Sequence, residues 1–348
     1  MIAKDTERAI RRAIASHGAP TLRRSMIQLA TSIVGFLIGC VVMYATTNVS
    51  YWLTLAVAPV TAGFLVRVFI IQHDCGHKAF FLSARLNDTV GMLCSTMTLA
   101  PYASWSRQHS GHHDVWNDLD RRVSGLDIYT SCLTVDEYRA LRPAARMRYR
   151  LLRHPLVANV LLPPLIFAIL YRLPFDMPSS WRRERRAVHL TNIALIAMFA
   201  TLGLSLGFSR VAAVHLPILA ISSMIGVWLF SVQHRGERVR WLHHYEWTPA
   251  AAALESSTYL RLPRVLQWFT GNIGFHHIHH LNPRVPNYRL QECHGVISGL
   301  TEIRTVSVGD GFRSLYLALW DEASGCLVPL AAVDRKPPVP NDRVPSRS

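Results

Sequence analysis

Long apolar stretches separated by short polar segments dominate this chain, and its apolar residues do not recur at the spacing of a soluble amphipathic helix. Residues 26–46 contain no charge, and residues 51–71 contain only Arg67. Two more apolar stretches cover residues 190–208 and 211–232. Since a helix rises 1.5 Å per residue, each stretch can cross a hydrocarbon core of about 30 Å. The pattern predicts an all-α integral membrane protein with about four transmembrane helices.

Two further apolar stretches, residues 87–101 and 156–170, are too short to cross the membrane readily. The second contains Pro163 and Pro164, and proline in a helix interior removes a backbone hydrogen bond. We expect both stretches to lie in the interface. Around one membrane domain of residues 26–330, residues 1–25 predict a basic interfacial arm on the cytoplasmic side. Residues 331–348 are rich in proline and charge and predict a disordered tail.

Histidines are concentrated in three clusters near the ends of apolar stretches. The clusters are His73 and His77; His109, His112 and His113; and His276, His279 and His280, with His277 as a surplus member of the third. A lone histidine is usually a surface or satisfied interior residue, but side chains three and four apart share one face of a helix and can converge on an ion. Eight imidazoles exceed the two to four ligands of a mononuclear zinc site. They suit two ions, with iron as the redox-active candidate.

The three clusters can share one site only if they lie on the same side of the membrane. An odd number of crossings between His113 and His276 would separate them, which is a second reason for expecting residues 156–170 not to cross. The arginines and lysine flank the spans on one side: Lys4, Arg8, Arg11, Arg12, Arg23, Arg24, Arg182, Arg183, Arg185 and Arg186. The opposite loop, residues 47–50, has no charge. The positive-inside rule therefore predicts that the termini and all three clusters face the cytoplasm.

The net charge of +15 raises the question of nucleic-acid binding. The excess is mostly arginine beside apolar spans, and no recognised nucleic-acid motif is present, so we predict no nucleic-acid partner. Anionic lipid headgroups and an acidic electron carrier are better partners. The six cysteines are scattered without a CxxC pair, which predicts neither a disulfide framework nor a zinc knuckle and suits a reduced cytoplasmic face.

Single residues near the clusters are further candidates. His234 ends the last apolar stretch at the depth of the first cluster and is a candidate ninth ligand. Asp74 lies between two cluster histidines and either orients a ligating imidazole or is simply solvated. Asp120 belongs to the segment of residues 118–122, which either supports the site or docks an electron donor, or else forms an exposed charged turn. His277 is the third candidate for a supporting role.

The segments HDCGH, HSGHH and HHIHH, followed by PRVPNYRL, resemble the membrane fatty acid desaturases over residues 70–325. The resemblance is to the acyl-lipid Δ12, omega-6-like branch of bacteria, cyanobacteria and plants, which carries HDCGH first and ends in HHxHH and IPxYxL. The positions that match the family's ligands are His73, His77, His109, His112, His113, His276, His279 and His280, with His234 in the pattern Val-Gln-His matching the extra histidine.

The resemblance implies four spans that support a cytoplasmic helical cap with two iron ions, in a bacterial inner membrane. There O2, as co-substrate, would be used to introduce a cis double bond into the acyl chain of a membrane lipid or fatty acyl substrate held in a narrow tunnel. Redox-inert zinc does not suit this chemistry. The family takes its electrons from a ferredoxin, a rubredoxin or a cytochrome b5-type donor. No haem-binding HPGG stretch occurs here, so the implied carrier is external.

Two alternatives remain open at this point. A hydroxylase or ketolase that acts on an acyl chain or a carotenoid would use similar clusters and the same oxidant. A metal transporter or sensor, from a different class, would place its ligands within the spans near the bilayer midplane. The clusters here lie at or beyond the span ends, which favours an enzyme.

Overall fold

The computed structural model of the protein describes residues 4–122, 132–237 and 239–334. Its α-helices are α1 (Lys4–Ala15), α2 (Leu22–Thr46), α3 (Tyr51–Gly76), α4 (Ala84–Thr98), α5 (Tyr102–Val115), α6 (Val135–Ala140), α7 (Pro143–Arg153), α8 (Leu162–Ala168), α9 (Arg182–Leu206), α10 (Phe208–His234), α11 (Pro249–Glu255), α12 (Arg264–Phe269), α13 (His276–Leu281), α14 (Leu290–Ile297), α15 (Val308–Ser314) and α16 (Leu330–Asp334). The strands are β1 (Leu133–Thr134), β2 (Tyr259–Leu260), β3 (Thr305–Val306), β4 (Leu317–Asp321) and β5 (Cys326–Pro329).

Four helices in the described ranges are long and apolar enough to cross a membrane, namely α2, α3, α9 and α10. They contain the four predicted stretches almost entirely, so the prediction of an all-α membrane protein with four spans is confirmed. Each helix extends beyond its apolar stretch because polar residues continue it past the membrane. Helix α9, for example, begins at Arg182, eight residues before its apolar part, and helix α3 continues to Gly76.

Small residues allow the first two spans to pack closely. A Cβ atom at Gly35 would lie 2.2 Å from the ring of Phe64, and one at Gly39 would lie 2.5 Å from the hydroxyl of Thr61. Both glycines are on one face of α2, four residues apart, and both partners are on α3. Close backbone approach of this kind is a main source of helix association in lipid, where the hydrophobic effect does not favour one apolar contact over another.

The segment that we expected not to cross is broken. Helix α7 and the segment Val157–Arg172 meet at an angle of 56°. Val157–Leu161 is a turn of π-helix, helix α8 contains both prolines, and Leu170–Arg172 is a 3₁₀ turn. A single straight span is therefore absent from residues 143–172, and the prediction that this segment does not cross remains a prediction.

The described residues outside the four spans, called the cap below, contain short helices and two small sheets. The expectation of an all-helical cap did not include the sheets. Strands β1, β4 and β5 form a three-stranded sheet in that order, and β2 pairs with β3 in parallel. The described cap has no closed sheet, and its short strands mainly connect distant segments. The predicted arm of residues 1–25 is divided between α1 and the first turn of α2. Ile10 and Ile14 of α1 are fully buried in a core that includes Leu290 and Cys293 of α14.

Of the predicted disordered tail, residues 335–348 lie outside the described residues, and its first four residues complete α16. The interfacial stretch 87–101 lies mostly in α4, whose 15 residues are too few for a span and which packs against α3.

Gly39→Leu should destabilise the protein, because a side chain at this position overlaps Thr61 of the neighbouring span. Overpacking of this kind costs about 1–3 kcal/mol, so the midpoint of thermal unfolding in detergent should fall by several degrees. Val41→Leu is the matched control, because Val41 lies on the same helix and is exposed. An unchanged midpoint for Gly39→Leu would contradict the packing of α2 on α3.

Candidate metal centre

All three histidine clusters meet where α3 and α10 end. His73 lies in the last turn of α3 and His77 directly follows it. Helix α5 carries the second cluster, α13 carries the third, and His234 is the last residue of α10. Because histidines three and four residues apart project from one side of each helix, four helices suffice to direct nine rings into one volume.

Five rings form a first group. The ligand atoms of His73, His77, His109 and His279 lie within 4.8 Å of one another. The Nε2 atom of His113 is 2.9 Å from Nε2 of His279 and 3.3 Å from Nε2 of His109. Ligand nitrogens at about 2.0–2.1 Å from an ion are necessarily about 3 Å apart when they are adjacent in its coordination sphere. The observed separations therefore fit an ion at the centre of this group.

Four rings form a second group. His112, His234 and His280 also have ligand atoms within 4.8 Å of one another. The Nε2 atoms of His234, His276 and His280 form a triangle with sides of 2.9, 3.0 and 3.1 Å. One ring proton cannot satisfy three nitrogens that face one another, whereas a cation accepts a lone pair from each. This triangle is the observation that best supports a bound metal ion.

Burial favours the neutral form of five of these imidazoles. It lowers the pKa of His109, His113, His276, His279 and His280 well below the ordinary value of 6.5, and neighbouring rings lower each of these pKa values further. A neutral imidazole has the free lone pair that metal binding requires. The buried Nε2 atom of His77 has no hydrogen-bond partner in the described part of the chain, as expected for an atom that binds an ion. The donor set, nine nitrogens without a thiolate, suits an ion of borderline softness.

Asp74 is positioned to orient the imidazole of His73. Its Oδ1 atom lies 3.3 Å from Nδ1 of His73, and its Oδ2 atom accepts hydrogen bonds from the backbone N–H and side-chain amide of Asn287 at 2.7 and 2.8 Å. A carboxylate bound to the far nitrogen of a ligating imidazole fixes its tautomer and ring orientation. Asn287 belongs to the PNYR part of the segment that follows the third cluster, so this contact ties the first cluster to that segment.

The other two supporting candidates lie elsewhere. The Nε2 atom of His277 is 3.2 Å from Nδ1 of His294, on the opposite side of α13 from its cluster neighbours. Asp120 accepts a hydrogen bond from the backbone N–H of His244 at 2.7 Å and is 3.2 Å from Nδ1 of His243. It therefore shapes the loop after α10 and does not orient a ring of either group.

Trp116 was missed by the sequence reasoning. Its ring centroid is 3.9 Å from that of His280, and the side chain is only 3% exposed. The signal was available, because Trp116 follows His113 by three residues and continues the same side of α5.

A cavity of about 370 Å³ opens onto the histidine groups. His73, His109, His112 and His276 form part of its wall, and most of the remaining wall is apolar. The cavity follows α3 back to Leu65, eight residues before His73, which corresponds to about 12 Å of helix. Its size lies within the ~300–1,000 Å³ of typical ligand cavities. The size and lining suit a long apolar ligand that passes against the imidazoles.

The sequence model of the family described as "Fatty acid desaturase" matches residues 50–304, which include every histidine of both groups. The chain belongs to the fatty acid desaturase family. The predicted family is therefore confirmed, and with it an enzyme that desaturates acyl chains, whereas no relative found supports a hydroxylase or a ketolase.

Characterised relatives cover most of the chain. A fatty acid desaturase of Bacillus subtilis is 39% identical over 331 residues, which is 95% of this chain and 93% of that protein. An sn-1 oleoyl-lipid 12-desaturase of Synechocystis is 25% identical and matches 66% of this chain and 64% of that enzyme. An sn-2 acyl-lipid omega-3 desaturase (ferredoxin) from chloroplasts of Arabidopsis thaliana is 31% identical over 65% of this chain and 51% of its own length. The Δ12 enzymes are thus among the relatives, at lower identity than the Bacillus protein.

The metal-free desaturase should lose stability as the pH falls below about 6.5, the ordinary pKa of histidine. The folded state lowers the pKa of His109, His276 and His279, so the unfolded chain binds more protons below that pH, and protonation favours unfolding. We expect the unfolding midpoint of chelator-treated protein in detergent to be several degrees lower at about pH 5.5 than at about pH 8.

A variant in which His276 and His279 are both replaced by asparagine should show a smaller decrease over the same pH range, because two of the shifted groups are gone. A midpoint that stays constant or rises on acidification would contradict burial of the neutral rings.

Proposed function

We propose that the protein is an O2-dependent di-iron desaturase that introduces a cis double bond into the acyl chain of a membrane lipid or fatty acyl substrate, with electrons from an external carrier. The main support is the convergence of two histidine groups on the wall of an apolar cavity. In this proposal one iron is held by His73, His77, His109, His113 and His279. The other is held by His112, His234, His276 and His280.

Two iron ions bound in these groups would supply the activation of O2 that removal of hydrogen from an unactivated methylene requires. The electron balance identifies the carrier's share. Reduction of O2 to two waters takes four electrons and four protons. The acyl chain gives two electrons and two protons, the carrier gives two electrons, and the solvent gives the other two protons. Relatives named for ferredoxin and for cytochrome b5 support a carrier of this kind.

The protein's own residues position the substrate. The cavity wall excludes water and confines an acyl chain to one path, and the rings of His73, His109, His112 and His276 mark the place on that path where chemistry occurs. Phe69, Phe167 and Phe230 also line the cavity. Since the four histidines lie beside the ends of α3 and α10 and the cavity runs back along these two helices, a lipid tail can reach them from the membrane.

The arginines beside the spans support a cytoplasmic orientation of the site, in a bacterial inner membrane. On that side a soluble carrier has access to the cap. The acyl-lipid relatives support a substrate presented within the bilayer.

His279→Ala should reduce the bound iron of the purified protein by about half, because one histidine group loses a ligand while the other keeps all four. Iron per protein is measured by plasma emission spectrometry, and membrane insertion by carbonate extraction. His189→Ala is the matched control, since His189 is exposed on α9 and belongs to neither group. Full iron content in His279→Ala would refute the ligand assignment.

A host that expresses the protein with a matched ferredoxin and reductase should acquire a new double bond in its fatty acids. The methyl esters are analysed by gas chromatography and mass spectrometry, with His279→Ala and His189→Ala alongside. We expect the product from the wild-type protein and from His189→Ala only. A hydroxy acid in place of the alkene, or the same profile in the His279→Ala strain, would contradict the proposed function.

A further inference from the structure

Trp116 contacts both histidine groups. Its ring lies 3.9 Å from His280, 6.2 Å from His234 and His113, and 6.3 Å from His112, all between ring centroids. It packs behind these rings with Ala252 and Ala253 and does not form part of the cavity wall, whereas Trp105, which stacks on His109, does. The two tryptophans therefore lie on different sides of the centre, and Trp116 lies on the side without substrate.

Trp247 continues from Trp116 towards the surface. The two rings are 5.9 Å apart at 80°, and the indole N–H of Trp247 donates a hydrogen bond of 2.9 Å to the backbone carbonyl of Trp116. Trp247 is partly exposed, whereas Trp116 is buried. A surface side chain is thus connected to a histidine of the centre by one hydrogen bond and one close ring contact.

The loop that carries Trp247 is held rigidly. The buried carboxylate of Asp118 binds the guanidinium of Arg121 at 2.5 Å and Nδ1 of His244 at 3.0 Å. The backbone N–H of Trp247 donates to the carbonyl of His243 at 3.0 Å. The guanidinium of Arg121 lies 4.9 Å from the ring centre of Trp247, and 38% of its side chain is exposed. The outer end of the tryptophan pair is therefore covered by a partly exposed guanidinium that Asp118 holds in place through an ion pair.

We propose that Trp247 and Trp116 form the route by which electrons reach the metal centre, and that an iron–sulfur protein docks over Trp247 and Arg121 to deliver them. The proposal rests on the proposed function, which requires such a carrier. In each event the iron–sulfur cluster would lose one electron, which would pass through the tryptophan pair and His280 and reduce a ferric ion held by the histidines. No covalent bond forms or breaks. Two such events supply the two electrons that each reaction takes from the carrier.

Three observations favour this route. Electron transfer through a protein is fastest where atoms are in continuous contact, and Trp247, Trp116 and His280 provide such a path. The opposite side of the centre is occupied by the acyl cavity. Arg121, at the outer end of the path, has a partly exposed guanidinium that a carboxylate of the carrier can contact.

The test compares Trp247→Leu, Trp247→Phe and wild-type protein, all loaded with iron, oxidised to the ferric state and placed in lipid nanodiscs. Pre-reduced plant-type ferredoxin is mixed with each under anaerobic conditions, and its oxidation is followed by stopped-flow absorbance, which needs no acyl substrate and reports no product. We expect Trp247→Leu, which keeps apolar packing but loses the ring, to slow ferredoxin oxidation by about tenfold, equivalent to about 1.4 kcal/mol in the barrier. Trp247→Phe should be affected less.

Iron content and reduction by methyl viologen radical, a small reductant that does not need the docking surface, should be unchanged in Trp247→Leu. Tyr316→Leu is the control, since Tyr316 is an exposed aromatic residue of the cap outside the path. A wild-type rate in Trp247→Leu, an equal loss in Tyr316→Leu, or faster oxidation of a flavodoxin than of ferredoxin would overturn the proposal. If Trp247→Leu does not fold, Trp247→Phe decides: it loses the hydrogen bond to Trp116, so a slower rate supports the route and an unchanged rate refutes it.

The proposed function can fail separately. If wild-type protein forms no desaturated product with either reductant, the function is refuted, while dependence of ferredoxin oxidation on Trp247 would still support the route.

Discussion

The rest of this structure depends on one constraint: buried imidazole nitrogens face one another with their lone pairs, away from water. Nine rings lie close together, nitrogens of neighbouring rings such as His234 and His276 face one another across about 3 Å, and burial favours the neutral form of rings such as His276 and His279. Without cations such an arrangement is costly, because buried polar atoms lack partners. With them, the free energy of metal binding becomes part of the free energy of folding. The surrounding helices must therefore be stable enough to hold the rings in register.

That stability comes from two places. In the membrane, α2 supports α3 through Gly35 and Gly39, and α3 delivers the first cluster at its end. In the cap, Asn287 binds Asp74, which lies 213 positions away in the sequence. Helix α1 packs over α14, the helix that follows Asn287. Since spans fix the depth of a ligand and cap contacts fix its orientation, neither part is sufficient alone.

The centre also has two different sides. One side opens into the apolar cavity, where Trp105 stacks on His109, and the other side packs against Trp116. With the proposed route, an acyl chain and an electron carrier would approach from different sides and would not compete for one opening. It also keeps the polar loop of residues 243–247 away from the water-excluding wall that hydrogen removal requires.

Much of this was determined by the sequence itself. Four apolar stretches predicted the spans because their length must match the bilayer, and the three histidine clusters predicted the residues that converge because helical periodicity places positions three and four apart on one face. His234 was found from its depth at a span end. The division of nine histidines into groups of five and four, the orientation of His277 away from its neighbours, the bond between Asp74 and Asn287 and the place of Trp116 depended on tertiary structure. Each of these requires the relative rotation of helices distant in sequence, which is set by side-chain packing across the whole domain, and no local pattern encodes that rotation.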